Sequence, residues 1–336
     1  MSASTTSQHC RAAQMLLLTT IFWGISFPTM KALSLVQSHV LADASSWFVT
    51  GVVGFVRFGL AALIMAAWSW RTLSQLTRSE LWQGVGLGFF GGGGMVLQMD
   101  GLSYTQASTS AFITQCYCLW IPILAAMRTR RSPSPVILVS TVLVFVGIAL
   151  LAQVDWRTLR LGRGEIETLL SSFFFTGQIL WLERPQYARN HVGHFTTVMF
   201  GTIALVALPV ALGTTVRVAD WGTFLTTPVV PGLIGILILF CTLVAYVVMN
   251  RWQRFVSATE AGLIYCVEPV FASVFALFLP AWYARWAGVE YLNETLTLNL
   301  VIGGGLITAA NLVVQVWGGN GSAAAKDLVA VEPAGS

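Results

Sequence analysis

The chain has 336 residues, 56% of them hydrophobic and only 10% charged, with a mean hydropathy of +0.74. Soluble domains carry about a quarter charged residues, so this composition excludes a water-soluble globular protein and points to an integral membrane one. The net charge of +4 does not argue for a nucleic-acid partner, because the basic residues sit in short segments between apolar stretches, where they set topology.

In chain order, residues 1–14 form a polar tail that lacks the basic start and small-residue cleavage site of a secretory signal. Ten apolar stretches follow, at 13–33, 47–69, 81–99, 103–127, 136–154, 165–182, 196–216, 229–249, 258–280 and 297–317. Each has the roughly 17–25 residues that cross ~30 Å of hydrocarbon as a helix. No stretch alternates polar and apolar as a barrel strand would, so an all-α integral membrane fold of ten transmembrane helices is expected. The Gly/Ala/Ser-rich tail 318–336 reads as disordered. Four of the five cysteines (Cys116, Cys118, Cys241, Cys266) lie in apolar stretches and read as small buried hydrophobes.

With the N-terminus inside, eleven cations fall on the inner segments: Arg11, Arg71, Arg78, Arg128, Arg130, Arg131, Arg184, Arg189, Arg251, Arg254 and Lys326. Six fall outside: Lys31, Arg157, Arg160, Arg163, Arg217 and Arg285. The excess places both termini in the cytoplasm. Ten of the thirteen tryptophans sit near the expected ends, where an indole prefers the interface.

The stretch "LLLTTIFWGISFPTMK" at 16–31 aligns with "LLSSFFFTGQILWLER" at 169–184, an offset of 153. At an offset of 151, Gly84 meets Gly235, Phe89 meets Phe240, Tyr104 meets Phe255 and Ala107 meets Ala258. The chain therefore reads as two five-helix repeats, 15–154 and 165–317. An odd number of spans per copy forces the second to enter from the opposite side, which makes the repeats inverted.

"WGISFPTMK" (23–31), Arg57-Phe58, "SYTQASTSAFI" (103–113), "SATEAGLIYCVEPVFASVFA" (257–276) and "GGGLI" (303–307) together resemble the drug/metabolite transporter superfamily, and within it the EamA type. The resemblance covers about residues 15–317. It implies a ten-helix inverted-repeat carrier working by alternating access, often an exporter of amino acids or other small metabolites. It also implies a binding site lined by helices one, three, four, six, eight and nine. Two departures stand out. Tyr117-Cys118 replaces the Glu268-Pro269 pair in the first copy, so no duplicated kink is expected there. Residues 280–291 are extra sequence that reads as a longer outer loop capping the mouth, ahead of Asn293-Glu294-Thr295-Leu296.

Glu268 lies ten residues into its stretch, ~15 Å deep at 1.5 Å per residue. A lipid-facing charge there costs at least ~2.5–3.5 kcal/mol, so it should face the interior. Pro269 lacks an N–H and should break the helix, freeing the Tyr265 carbonyl. The pair reads either as part of a transport site and proton switch or as a buried helix tie. Arg57, the only deep basic residue, either holds a substrate carboxylate or forms an ion pair, with Glu268 a candidate partner. Lys31 is expected to snorkel to the surface. Gln98, Gln115, Gln178, Asn250 and Asn311, with the hydroxyls of Tyr117, Tyr246 and Tyr265, read as interhelical glue or as the lining of a neutral polar cavity. Trp23 and Trp181 are candidate aromatic walls. Gly84, Gly88 and Gly92, with Gly91, Gly93 and Gly94, read as close packing, or around Gly91 and Gly92 as a hinge. His191-x-x-His194 lacks partners at metal spacing, so no metal is expected.

The expectation is a secondary carrier in the cell (inner) membrane that exports amino acids or similarly small polar metabolites, with Glu268 available for proton coupling. No enzyme activity and no cofactor are expected. The expected partners are the metabolite and the lipid bilayer, with a homodimer allowed and no nucleic acid. The competing readings are a channel or a non-transporting membrane sensor. An intramembrane enzyme fits less well, since only Glu268 and Arg57 offer reactive groups at depth.

Overall fold

The computed structural model of the protein describes residues 3–117, 119–120, 123–124, 127, 135–151, 161–182, 184–256, 261, 264–265, 267 and 268–317. The expected disordered tail 318–336, the arginines at 128–131 and 157–160, Cys118 and Cys266 lie outside these residues. All regular structure among the described residues is helical. The main elements are α1 (Ala3–Val40), α2 (Ser46–Trp68), α3 (Arg78–Gly101), α4 (Ala107–Thr114), α5 (Pro135–Leu151) and α6 (Arg163–Leu182). They continue with α7 (Val192–Thr214), α8 (Val230–Phe255), α9 (Glu268–Ala276), α10 (Leu279–Ala287) and α11 (Leu298–Trp317).

Four helices, Gln8–Val40, Ser46–Trp68, Val192–Thr214 and Val230–Phe255, are long and apolar enough to cross a bilayer. Helices α9 and α10 qualify together as a fifth, bent by 51°. Large apolar side chains such as Leu63 (66% exposed), Leu205 (66%) and Val142 (62%) cover the outer faces, as contact with lipid tails demands. The protein is a multi-pass membrane protein.

Small residues hold the helices together, because lipid tails leave no hydrophobic gain from pairing one apolar helix with another. Along α3, Gly84, Gly88 and Gly92 meet Val198, Thr202 and Val206 of α7, a parallel pair in four-residue steps. On the opposite side of α3, Gly93 and Gly94 receive the rings of Phe174 and Phe175, and Gly101 meets Gly164, so α6 runs antiparallel. Gly51 and Gly54 of α2 meet Ala211 and Ala207, and Gly147 of α5 meets Gly303 of α11. Helix α3 passes unbroken through its glycines. A Cβ on Gly91 would lie 2.7 Å from Gln178 Nε2, and one on Gly92 would lie 2.9 Å from Val206 Cβ. Both glycines therefore serve close approach in this conformation.

Polar ties close the helix ends. Thr77 and Glu80 form a reciprocal capping box at the start of α3, with Glu80 N to Thr77 Oγ1 at 3.2 Å and Thr77 N to Glu80 Oε2 at 2.8 Å. Glu80 also accepts from His191 N (2.8 Å) and lies 3.0 Å from His194 Nδ1, which fastens α3 to the start of α7. The His-x-x-His pair thus serves this contact. Lys31 does not snorkel as expected. Its Nζ donates to the carbonyls of Leu102, Ser103 and Thr105 (2.6, 3.1 and 3.0 Å), placing a cation at the negative end of α3. Arg163 bridges Asp100 (2.5 Å) and Glu167 (2.7 Å).

Residues 280–291 are not the long loop that the sequence suggested. Their first part is α10, with Tyr283 buried and its hydroxyl 2.8 Å from Thr29 Oγ1. Asn293 Oδ1 accepts from Ala281 N (2.8 Å) at the start of α10. Glu294 accepts from Ala107 N (2.8 Å) and the Ser108 hydroxyl at the start of α4. Adjacent residues thereby cap two helices.

These contacts yield two predictions. Gly88→Ala should destabilise by about 1–3 kcal/mol, because its Cβ would sit 2.7 Å from the Met199 carbonyl oxygen, which the α7 backbone cannot move. Gly201→Ala meets nothing within 4 Å and should be neutral or gain up to ~1 kcal/mol. Melting in detergent separates the two; equal shifts would contradict the close-packed face. Burial alone would raise the Glu80 carboxyl, but the backbone N–H groups of Thr77 and His191, the His194 ring and the Thr77 hydroxyl outweigh it and hold the group at about 2. A depressed carboxylate stabilises above its ordinary value of 4.5 and loses that contribution as the pH falls toward 2. Glu80→Gln should therefore melt lower than wild type at pH 5 and lose less on acidification to pH 2.5; parallel melting curves would contradict the tie.

Candidate functional site

Two helices break where they face each other. Val267 stands in a turn, with its N–H bonded three residues back to Ile264 O (3.2 Å), and α9 starts afresh at Glu268. Pro269 occupies the first turn of α9, where a missing N–H costs nothing. The break therefore precedes the proline instead of following from a lost bond in mid-helix. The first copy, expected to lack a kink, breaks too. Helix α4 ends at Thr114 and the chain turns at Gln115–Cys116, with Gln115 N to Phe112 O at 3.2 Å and Cys116 N to Ile113 O at 3.0 Å. No proline marks that turn. Cys116 and Val267 are 151 apart, the offset found in the sequence. Gln115 Nε2 donates to Glu268 Oε2 at 3.4 Å, joining one break to the other.

Arg57 of α2 is 1% exposed and does not pair with Glu268. Its Nε donates to Thr242 Oγ1 (2.6 Å) and its Nη2 to Cys241 O (3.3 Å). Nη1 faces the thioethers of Met30 (3.6 Å) and Met95 (3.9 Å), and the guanidinium lies 4.9 Å from the Phe58 ring centroid. Its partners on α8 belong to a π-helical segment, Leu237–Val244, in the middle of an otherwise regular span. Thr242 Oγ1 donates to Leu237 O (2.9 Å), five residues back, as the π repeat requires.

Between these features lies a cavity of about 70 Å³. One water needs about 10–15 Å³ by the same measure, so the space takes several waters or one small solute. Trp23, Arg57, Gln98 and Tyr117 line it from the first half of the chain, and Gln178, Tyr246, Tyr265 and Glu268 from the second. Eight of the side chains singled out in the sequence thus face one space, whereas Gln115 and Asn250, read with them as possible lining, do not line it. Trp23 packs against Tyr246 (5.4 Å between centroids) and Tyr265 (5.6 Å), and its buried Nε1 has no hydrogen-bond partner among the described residues. Gln98 Nε2 donates to Thr114 Oγ1 (2.9 Å), Tyr265 OH to Gln253 Oε1 (2.9 Å), and Gln178 Nε2 lies 3.9 Å from Met199 Sδ. Pro269, Gly91 and Gly92 do not line the cavity. Trp181 packs outside it, against Phe90 and Tyr187.

Sequence reasoning missed Thr242, Thr114, Ser26 and Gln253, and the apolar walls Met95, Phe175 and Met249. Hydroxyls inside apolar stretches usually bond back to their own helix, so nothing in the sequence separates Thr242 from the rest. The cavity pairs one cation and one carboxylate with amides and aromatic faces, which suits a small amphipathic or zwitterionic solute.

Residues 11–153 match the model of the EamA-like transporter family. An uncharacterized transporter of Archaeoglobus fulgidus is 26% identical over 304 residues, which span 90% of this chain and 84% of that protein. A solved crystal structure aligns over 93% of this chain and 97% of its own, with a TM-score of 0.50 at 16% identity, a likeness of fold alone. The resemblance carried by the chain's own motifs is thereby borne out over residues 11–153, which are similar to the EamA-like transporter family.

Proposed function

We propose that the protein is a secondary carrier that moves amino acids or similarly small polar metabolites through the cavity between two inverted five-helix repeats, 15–154 and 165–317. In this reading ten helices cross the cell (inner) membrane, both termini face the cytoplasm, and transport proceeds outward by alternating access. The observation that carries it is the meeting of two broken helices at Gln115 and Glu268, beside a cavity to which each copy contributes four candidate side chains. Broken helices at mid-membrane are tolerated only where protein or water satisfies the freed backbone, and carriers use them to present polar groups to substrate. The alternating directions of packed neighbours, with α3 and α7 parallel and α3 and α6 antiparallel, fit the ten-span topology.

Glu268 serves as the coupling group. A carboxyl at this depth carries charge only when water or substrate reaches it, so exposure to alternate sides loads and unloads a proton. Trp23, Tyr246 and Tyr265 hold the apolar part of the solute, while Gln98, Gln178 and Tyr117 adapt to its polar atoms. Gly91 and Gly92, packed tightly here, and the bend at Pro269 absorb the backbone changes between states.

In proteoliposomes, Glu268→Gln should lose proton-driven accumulation by on the order of tenfold or more while keeping pH-independent exchange of solute. Full proton-driven transport in the variant would remove the coupling role, and solute flux without proton-driven accumulation in wild type and variant alike would favour a channel.

A further inference from the structure

A guanidinium carries five N–H donors. In Arg57 the inner edge is committed, with Nε on Thr242 Oγ1 at 2.6 Å and Nη2 on Cys241 O at 3.3 Å. The remaining fork faces only two thioether sulfurs at 3.6 and 3.9 Å, and such sulfurs are weak acceptors. Among the described residues no carboxylate lies within ion-pair distance of Arg57. Arg57 also lines the cavity. A buried cation tethered by neutral groups is oriented without being neutralised, so its field stays available to an anion that enters.

The tether depends on the π segment. Thr242 donates its own proton to Leu237 O, which leaves the hydroxyl oxygen as acceptor for Arg57 Nε. Thr242 is thus the side-chain half of a two-point hold, with the Cys241 carbonyl, on the guanidinium plane. We propose that Thr242 is a positioning residue, whose hydroxyl aims the free fork of Arg57 into the cavity so that the transported solute must bring a carboxylate. A planar fork matches a carboxylate at two points, which a solute lacking that group cannot imitate. This inference rests on reading the cavity as the transport site.

The test uses purified full-length protein, the L-amino acids and their carboxamides, with ligand-induced melting shifts and titration calorimetry as readouts. Wild type should bind at least one L-amino acid and bind its carboxamide at least tenfold more weakly. Thr242→Val should narrow that ratio by weakening the acid and leaving the amide unchanged, and Thr242→Ser should restore it. Thr242→Ala removes the hydroxyl with less bulk and repeats the measurement should the valine variant misfold. A ratio unchanged in the valine or alanine variant, with Arg57→Lys abolishing acid binding, would overturn the role of Thr242 and leave the transport site standing. Equal binding of acid and amide by wild type would overturn the carboxylate requirement. Failure of wild type to bind any of the panel would overturn the amino-acid reading of the site, and this inference with it.

Discussion

A polar group left unpaired in hydrocarbon costs several kcal/mol, and every notable feature of this protein follows from that penalty. Two helical segments give way to turns, and Arg57 and Glu268 are buried nearby. Such a combination is tolerable only if the polar groups meet one another or meet water. Here they meet one another: Gln115 reaches Glu268 across the two turns and Arg57 reaches the π segment of α8, with a cavity that has room for several waters between. The glycine faces of α3 and the small residues of α2 and α7 bring the helices near enough for these bonds to form.

The sequence announced the apolar helices and the charged residues inside them, because each rests on a strong physical signal. Glu268 and Arg57 stand out against hydrocarbon, and no soluble context explains them. Less legible were features that depend on contacts between distant segments. The break at Gln115–Cys116 has no proline to mark it, and the π segment of α8 has the same apolar composition as a regular helix. Lys31 looked like a snorkelling end residue, since the three carbonyls it caps belong to the turn between α3 and α4, brought to it by the packing of α4 on α1. The run 280–291 looked like loop because its helix is short, and what holds it is the Tyr283 contact with Thr29 and the Asn293 cap. The eight candidate residues lie far apart in sequence, and only the fold places them around one space.

On the proposed reading of two inverted repeats, the halves differ beside the cavity. At an offset of 151, Thr242 corresponds to Gly91. On α3 that position is a glycine in a regular helix, with the amide of Gln178 resting on it. On α8 it is a hydroxyl in a widened helix, with the guanidinium of Arg57 resting on it. Related positions thus present a neutral amide on one side of the cavity and a cation on the other. A cavity whose two sides differ in charge can orient a solute that has two different ends.

The most direct test of the account is whether water reaches the space between the copies. Single cysteines at Gln98 and Gln178, and at the lipid-facing Leu63 and Val142, would be placed in a background without the native cysteines and exposed to a hydrophilic thiol reagent in liposomes. The account predicts faster modification at Gln98 and Gln178, slowed by a bound solute, with Leu63 and Val142 almost inert. Inert cysteines at both cavity positions beside reactive ones at Leu63 or Val142 would contradict a wet crevice between the copies and the carrier built on it.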